Sequence, residues 1–184
     1  MTLKKILSIQ FIIVFCYFCV HDLQMHIYSG NFFSEKINTY AYSVYMPHGL
    51  RILFFLIYGF WSIPGLLLAH IITSLGIDFV TSFNVIFSLI ISTFCVPLSA
   101  LFLTRFFKEI KNKFNLEYLF FLTLISTFIN GFFTNLVRYF LVFERNLSIF
   151  FQEITGYFVG DLLGVILIIL GYLFIKRIFL ISIN

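Results

Sequence analysis

A histidine and an arginine at the start of a long apolar run are the first residues with a capacity for chemistry. Pro47-His48-Gly49-Leu50-Arg51 places His48 and Arg51 three residues apart, so they share one face if the segment is helical. Two such side chains at a helix N-terminus can bind an anion. The alternative is that Arg51 marks the edge of the apolar run and His48 is its polar neighbour.

Two further ionisable residues lie inside apolar runs. Arg138 follows Asn135, and Asp161 lies in the last run of the chain. A charge at the centre of an apolar membrane helix costs about 2.5–3.5 kcal/mol, so such groups should face inward and find partners. We therefore predict an Arg138–Asp161 salt bridge. It either fixes helix register alone or, together with His48, Arg51 and Asn135, lines a ligand-binding pocket.

Motifs of catalysis and metal binding are missing from the sequence. There is no Gly-x-Ser-x-Gly, His-Glu-x-x-His, P-loop or Gly-x-Gly-x-x-Gly. Cys16 and Cys19 lie in an apolar run, and His21 and His26 lack zinc-ligand spacing to a Cys, Asp or Glu. His70 is predicted to be a hydrogen-bonded packing residue. We expect no enzyme, no metal site and no cofactor.

The composition points to a lipid environment. Of the 184 residues, 61% are hydrophobic and only 11% are charged, with a mean hydropathy of +1.03. Soluble domains carry about 25% charged residues. This excludes a soluble globule, a disordered tail and a disulfide scaffold. Although the pI is near 9.0, the basic residues lie at the ends of apolar runs, so no nucleic-acid partner is expected. Residues 1–184 form one membrane domain.

Five apolar blocks predict an all-α, multi-pass bundle of about five to six transmembrane segments. They are Ile6–Val20, Ile52–Leu75, Phe79–Leu103, Leu116–Phe143 and Ile154–Ile175. No small-x-small cleavage site follows the first block, which is therefore read as an uncleaved span. The second block is interrupted by Gly59, Pro64 and Gly65. Because proline and glycine weaken a helix, a break is predicted at Pro64-Gly65.

The distribution of basic residues sets the topology. Lys4 and Lys5, the segment 105–113, and Lys176 with Arg177 all read as cytoplasmic. An even number of crossings must separate the N-terminus from residues 105–113, yet three blocks lie between them. The number of crossings becomes even if the second block does not cross, but enters and leaves the membrane by the same face as two half-helices. This places both termini in the cytoplasm, with the chain in the inner (cytoplasmic) membrane.

Three glycines in the last block form a stripe. Gly156, Gly160 and Gly164 are spaced four apart, which lets helix backbones approach closely in lipid. Packing within the chain is one interpretation and a homodimer seam is the other.

Two segments resemble the MASE-type integral membrane sensor domain of bacterial signalling proteins. The first is Pro47-His48-Gly49, followed by Gly59 and Ile63-Pro64-Gly65-Leu66-Leu67-Leu68-Ala69; the second is Gly160-Asp161-Leu162-Leu163-Gly164. The resemblance implies a membrane sensory role in which Asp161 and its glycines are motif positions. It also implies a shortened, stand-alone member whose output comes from a cytoplasmic or membrane signalling partner.

Three functional hypotheses follow. The first is a sensory or ligand-binding role, with a pocket of His48, Arg51, Asn135, Arg138 and Asp161. The second is a component similar to the substrate-binding S subunit of vitamin transporters, because broken helices that face a midmembrane site recur in transporters. The third is a structural subunit that docks a larger complex through its glycine stripe.

The half-helix topology predicts that residues 30 and 80 lie on the same side of the membrane. In a chain with all three native cysteines replaced by alanine, Gly30→Cys and Val80→Cys should react with an impermeant thiol reagent from the same side. Labelling from opposite sides would contradict the topology.

Overall fold

The computed structural model describes residues 2–29, 44–74, 83–106, 115–141 and 146–181, which are almost entirely helical. The six α-helices are α1 (Leu3–Ser29), α2 (Met46–Tyr58), α3 (Ile63–Ser74), α4 (Phe83–Phe106), α5 (Leu116–Leu141) and α6 (Leu147–Ile181). Among these described residues, five helical stretches are long and apolar enough to cross a membrane, the stretch Met46–Ser74 being counted as one. The predicted all-α, multi-pass class is confirmed.

The helices α4, α5 and α6 pack as antiparallel neighbours. Ser92 of α4 lies opposite Asn130 of α5 at 3.0 Å, and Asn130 lies opposite Asp161 of α6 at 2.8 Å. Further along, the rings of Tyr139 and Phe150 have their centroids 5.2 Å apart. These contacts fix the register of α5 against α6, since they pair later residues of one helix with earlier residues of the other.

The break in the second block lies upstream of its predicted position. Helix α2 ends at Tyr58, and a 3-10 turn covers Gly59–Ser62 before α3 begins at Ile63. Gly59 has a φ of 60°, which favours glycine. Pro64 is instead the second residue of α3, where a missing N–H leaves no helical bond unmade. The prediction of a break is confirmed, but the turn is made by Gly59–Ser62 and not by Pro64-Gly65.

The chain reverses direction at this turn. Tyr17, in the middle of α1, contacts both Arg51 of α2 and His70 of α3. Two turns nearer the start of α1, Gln10 Nε2 donates to the carbonyl oxygen of Trp61 at 2.8 Å. Helix α2 therefore runs antiparallel to α1 down to the turn, and α3 returns parallel to α1. At about 1.5 Å per residue, the turn lies about 10 Å below the level of Tyr17.

Because of this reversal, six described helices pass the level of Tyr17, and they alternate in direction. Helix α1 therefore begins at the end of the bundle where α6 finishes. Exposed basic residues gather at that end: Lys4, Lys5, Arg105, Lys176 and Arg177. The assignment of this end to the cytoplasm, and of the bundle to the inner membrane, stays a prediction.

Two apolar clusters surround the middle of the bundle. One lies among α1, α2 and α3 and includes Ile13 and Leu66; the other joins α2, α4, α5 and α6 and includes Ile52 and Leu122. Large apolar side chains also cover the outside, among them Leu170, which is 58% exposed. A surface of this kind matches a lipid environment.

Close contact between α2 and α6 depends on glycine. A Cβ atom at Gly164 would lie 2.0 Å from the Tyr45 carbonyl oxygen, and one at Gly49 would lie 2.6 Å from the Gly164 carbonyl oxygen. The backbone N–H of Tyr45 donates to the carbonyl oxygen of Gly160 at 2.8 Å. Gly156, Gly160 and Gly164 are all buried. Packing within the chain therefore accounts for the stripe at Gly160 and Gly164.

We predict that Gly164→Ala destabilises the bundle, because its methyl group would meet backbone atoms that cannot move independently. The expected loss is about 1–3 kcal/mol, the usual range for overpacking. Thermal unfolding followed by circular dichroism in detergent measures it. Gly171→Ala is the matched control on the same helix, since nothing lies within 4 Å of its Cβ position. Equal stability of the two variants would contradict the close contact.

Candidate functional site

His48 and Arg51 lie on one face of α2, as the sequence predicts, and both are buried. Arg51 Nη1 donates to His48 Nδ1 at 3.1 Å. Arg51 is 1% exposed and His48 is fully buried. A guanidinium keeps its protons at any physiological pH, so Nδ1 of His48 must accept. The proton of the imidazole ring is then on Nε2.

The remaining contacts of His48 continue this donor chain. Its Nε2 lies 3.2 Å from Ser126 Oγ and 3.4 Å from Thr127 Oγ1. Ser126 Oγ in turn donates to the backbone carbonyl of Thr123 at 3.1 Å. A series of donors thus runs from Arg51 on α2 to a backbone carbonyl of α5.

A second series of donors leaves Arg51 in the opposite direction. Arg51 Nη2 donates to the hydroxyl oxygens of Tyr17 and Tyr45, each at 3.3 Å. The Tyr17 hydroxyl donates to His70 Nε2, and His70 Nδ1 lies 3.0 Å from Thr93 Oγ1. His70 is thus hydrogen-bonded inside the bundle, as predicted.

The direction of this series is fixed at its far end. Thr93 Oγ1 donates to the backbone carbonyl of Leu89 at 2.8 Å, so it accepts the proton of His70 Nδ1. Burial raises the pKa of the Tyr45 hydroxyl well above 10, which keeps that group protonated. The charge of Arg51 is therefore solvated by neutral acceptors of α1, α2 and the residue that precedes α2.

Asp161 receives a different donor. Asn130 Nδ2 donates to Asp161 Oδ2 at 2.8 Å, and Ser92 Oγ donates to Asn130 Oδ1 at 3.0 Å. His48 Nδ1 lies 3.6 Å from the same carboxylate oxygen. The other oxygen, Oδ1, has no hydrogen-bond partner among the described residues. Asp161 is 1% exposed.

Together these contacts form a closed circuit through all six helices, which we call the polar ring. It begins at Ser92, passes through five other helices and returns to the adjacent Thr93. Its members are Tyr17, His48, Arg51, His70, Ser92, Thr93, Asn130 and Asp161. Its links are hydrogen bonds, except for the longer contact between His48 and Asp161 and the peptide bond that joins Ser92 to Thr93.

Two residues of the predicted pocket lie outside the polar ring. Arg138 Nη1 donates to the Tyr157 hydroxyl at 2.5 Å, and its guanidinium carbon lies 5.4 Å from the centre of that ring. Arg138 follows Asn130, the partner of Asp161, by eight residues, or about 12 Å of helix. The predicted Arg138–Asp161 salt bridge is therefore wrong, because the register of α5 on α6 separates the two side chains by two turns.

Asn135 also belongs to the outer part of α5. Its Nδ2 donates to the Gly131 carbonyl of its own helix at 2.9 Å, and its side chain is fully buried. The structure thus joins three of the five predicted pocket residues, His48, Arg51 and Asp161. Asn135 and Arg138 lie nearer the end of α5.

Sequence reasoning missed four buried polar residues, which are Tyr17, Tyr45, Asn130 and Glu153. Tyr17 and Tyr45 are two of the 10 tyrosines in the chain, and neither these two nor Asn130 has a spacing to other polar residues that sets it apart. Glu153, 1% exposed, shares a face of α6 with Tyr157. In the sequence it directly precedes the last apolar block, Ile154–Ile175, which is the one signal that was available.

Within the described residues, no three His, Cys, Asp or Glu side chains lie close enough together to hold a metal ion. Comparison with protein-family models, with curated proteins and with solved structures finds no match to this chain. The polar ring is accordingly interpreted from its own geometry.

We predict that Tyr17→Phe destabilises the bundle by about 1–3 kcal/mol, because Arg51 Nη2 loses one acceptor and buried His70 Nε2 loses its donor. Chemical unfolding in detergent micelles measures the effect. Tyr172→Phe, at a residue 36% exposed, removes a hydroxyl outside the ring and should leave stability unchanged. A Tyr17→Phe variant as stable as the Tyr172→Phe variant would show that the hydroxyl does not join α1 to α2 and α3.

Proposed function

We propose that the chain is a membrane-embedded sensory domain of the MASE type, in which the contact between α2 and α6 responds to a stimulus at the polar ring. A cytoplasmic or membrane signalling partner would receive the response. The observation that carries this proposal is that the start of the first segment behind the resemblance, Pro47-His48-Gly49, meets the second segment in space. Residues 47–49 of α2 lie directly against residues 160–164 of α6.

Each segment contributes the same two features at the contact. Gly49 and Gly164 bring the helix backbones together, so that neither position has room for a Cβ atom. His48 and Asp161, each next in sequence to a glycine, then approach to 3.6 Å. Glycines and ionisable residues combined at one buried contact support a shared role that goes beyond packing.

The contact is suited to a response because its stability depends on charge. Arg51 and Asp161 carry opposite charges inside an apolar bundle, where electrostatic interactions are strong. Any event that changes one of these charges alters how well α2 packs on α6. Helix α6 continues to Ile181, beyond the basic end of the bundle, and can carry such a change to a partner.

We predict that the polar ring controls the output of a fusion protein. The chain is joined after α6 to a diguanylate cyclase catalytic domain that lacks its own membrane domain. Asp161→Asn should change cyclase output by about fivefold or more, which corresponds to a coupling free energy of about 1 kcal/mol. Cyclic dinucleotide formed per fusion molecule in isolated membranes is the measurement.

Leu163→Ala is the matched control for this fusion. Leu163 lies two residues from Asp161 on α6 but is 40% exposed on the outside, so its truncation should leave output unchanged. Equal output from the unchanged fusion, the Asp161→Asn fusion and the control would contradict the sensory proposal.

A substrate-binding component of a transporter is the second candidate. The reversal of α2 and α3 supports it, because discontinuous helices that place polar groups at mid-depth recur in transporters. Such a component should co-purify with an ATP-hydrolysing module and retain a small molecule detectable by mass spectrometry. A sensory domain should do neither.

A further inference from the structure

The carboxyl group of Asp161 is poorly compensated for a buried charge. Its one hydrogen-bond donor among the described residues is the neutral amide of Asn130, and its Oδ1 atom has none. A buried carboxylate is normally stabilised by several donors or by a directly bonded cation. Asp161 is 1% exposed, so bulk water does not make up the deficit.

The neighbouring histidine does not supply the missing donor. His48 Nδ1 lies 3.6 Å from Asp161 Oδ2, but it accepts the hydrogen bond from Arg51 Nη1 at 3.1 Å. Since Arg51 cannot give up its proton, the Nδ1 lone pair points to Arg51 and carries no hydrogen for Asp161. The contact is therefore not an ion pair while Arg51 holds this position.

The two terminal nitrogens of Arg51 are hydrogen-bonded without Asp161, while its Nε atom has no partner among the described residues. Its Nη1 and Nη2 atoms donate to His48, Tyr17 and Tyr45, all neutral acceptors. The cation and the acid of the ring thus share no direct hydrogen bond, although they attract each other through space. Asp161 is consequently the member of the ring whose charge is least stabilised by its contacts.

Among the described residues, Arg51 is the one charged group near Asp161 on the elements packed against it. The other groups near the carboxyl group are neutral: they are His48 of α2, Tyr45 before α2, Cys95 of α4 and Asn130 of α5. Arg138 of α5 lies two turns away against Tyr157. The carboxyl group is thus surrounded by neutral side chains and by one cation that is hydrogen-bonded to other groups.

We propose that Asp161 is a proton-binding site, and that the stimulus to which the polar ring responds is the uptake of one proton by its carboxyl group. A proton needs no cavity, which suits side chains buried against one another. Uptake changes the charge of the ring from zero, with Arg51 and Asp161 both ionised, to one positive charge. The attraction between α2 and α6 through Arg51 and Asp161 is then lost, and the packing at Gly49 and Gly164 loosens. This inference rests on the proposed function only in calling the proton a stimulus.

Infrared difference spectroscopy of the full chain in lipid vesicles tests the site directly. Lowering the pH from about 8 to about 5, the range in which buffers and histidines titrate, should produce the carbonyl stretch of one protonated carboxyl group. The band should shift in deuterated water and be absent from Asp161→Asn. It should persist in Glu153→Gln, which removes the other buried acid of α6.

A second variant keeps the test independent of whether Asp161→Asn folds. Asn130→Ala removes the single donor to the carboxylate, so the midpoint of the band should move upward by about one to two pH units. No carboxyl band over this pH range in the unchanged chain would overturn the proposal, as would a band unaffected by both Asp161→Asn and Asn130→Ala. No output partner is needed here, so failure of this experiment and failure of the cyclase fusion are separate results.

Discussion

A guanidinium group buried in the middle of an apolar helix bundle is the constraint on which the rest of this structure depends. Arg51 keeps its charge and its five N–H groups, and water does not reach it. The chain therefore has to bring acceptors to it. Two donor series start at Arg51 and end at the backbone carbonyls of Leu89 in α4 and Thr123 in α5. The charge of one residue thereby orders side chains on helices α1 to α5.

The reversal between α2 and α3 follows from the same constraint. One straight helix over residues 46–74 could not bring both Arg51 and His70 to the hydroxyl of Tyr17, since 19 residues of helix span about 28 Å. The turn at Gly59–Ser62 removes this separation. It exposes little unpaired backbone, because Gln10 satisfies the carbonyl of Trp61 and Ser62 Oγ donates to the carbonyl of Gly59.

Sequence periodicity and charge placement predicted the helix class, the broken second block and its two half-helices. They also predicted the shared face of His48 and Arg51, because that depends only on spacing within one helix. They failed for the Arg138–Asp161 pair, whose formation depends on the register of α5 against α6. That register is set by Gly131, Tyr157 and the tilted and edge-to-face ring contacts of Phe150, contacts between helices that one sequence does not specify. Tyr17 and Asn130 were missed for the same reason: each is identified by what it meets on another helix.

The glycines explain why the acid and the histidine approach without bonding. Gly49 and Gly164 let the α2 and α6 backbones touch, which fixes the separation of the side chains beside them. Backbone contact leaves His48 and Asp161 3.6 Å apart, while the ring of His48 is turned by its bond to Arg51. A closer approach would require His48 to leave Arg51 or Asp161 to leave Asn130, and each change breaks a buried hydrogen bond. Arg51 and Asp161 thus compete for the same nitrogen of His48, Nδ1. Such a competition gives the contact two alternative arrangements, so a change in charge can become a change in helix packing.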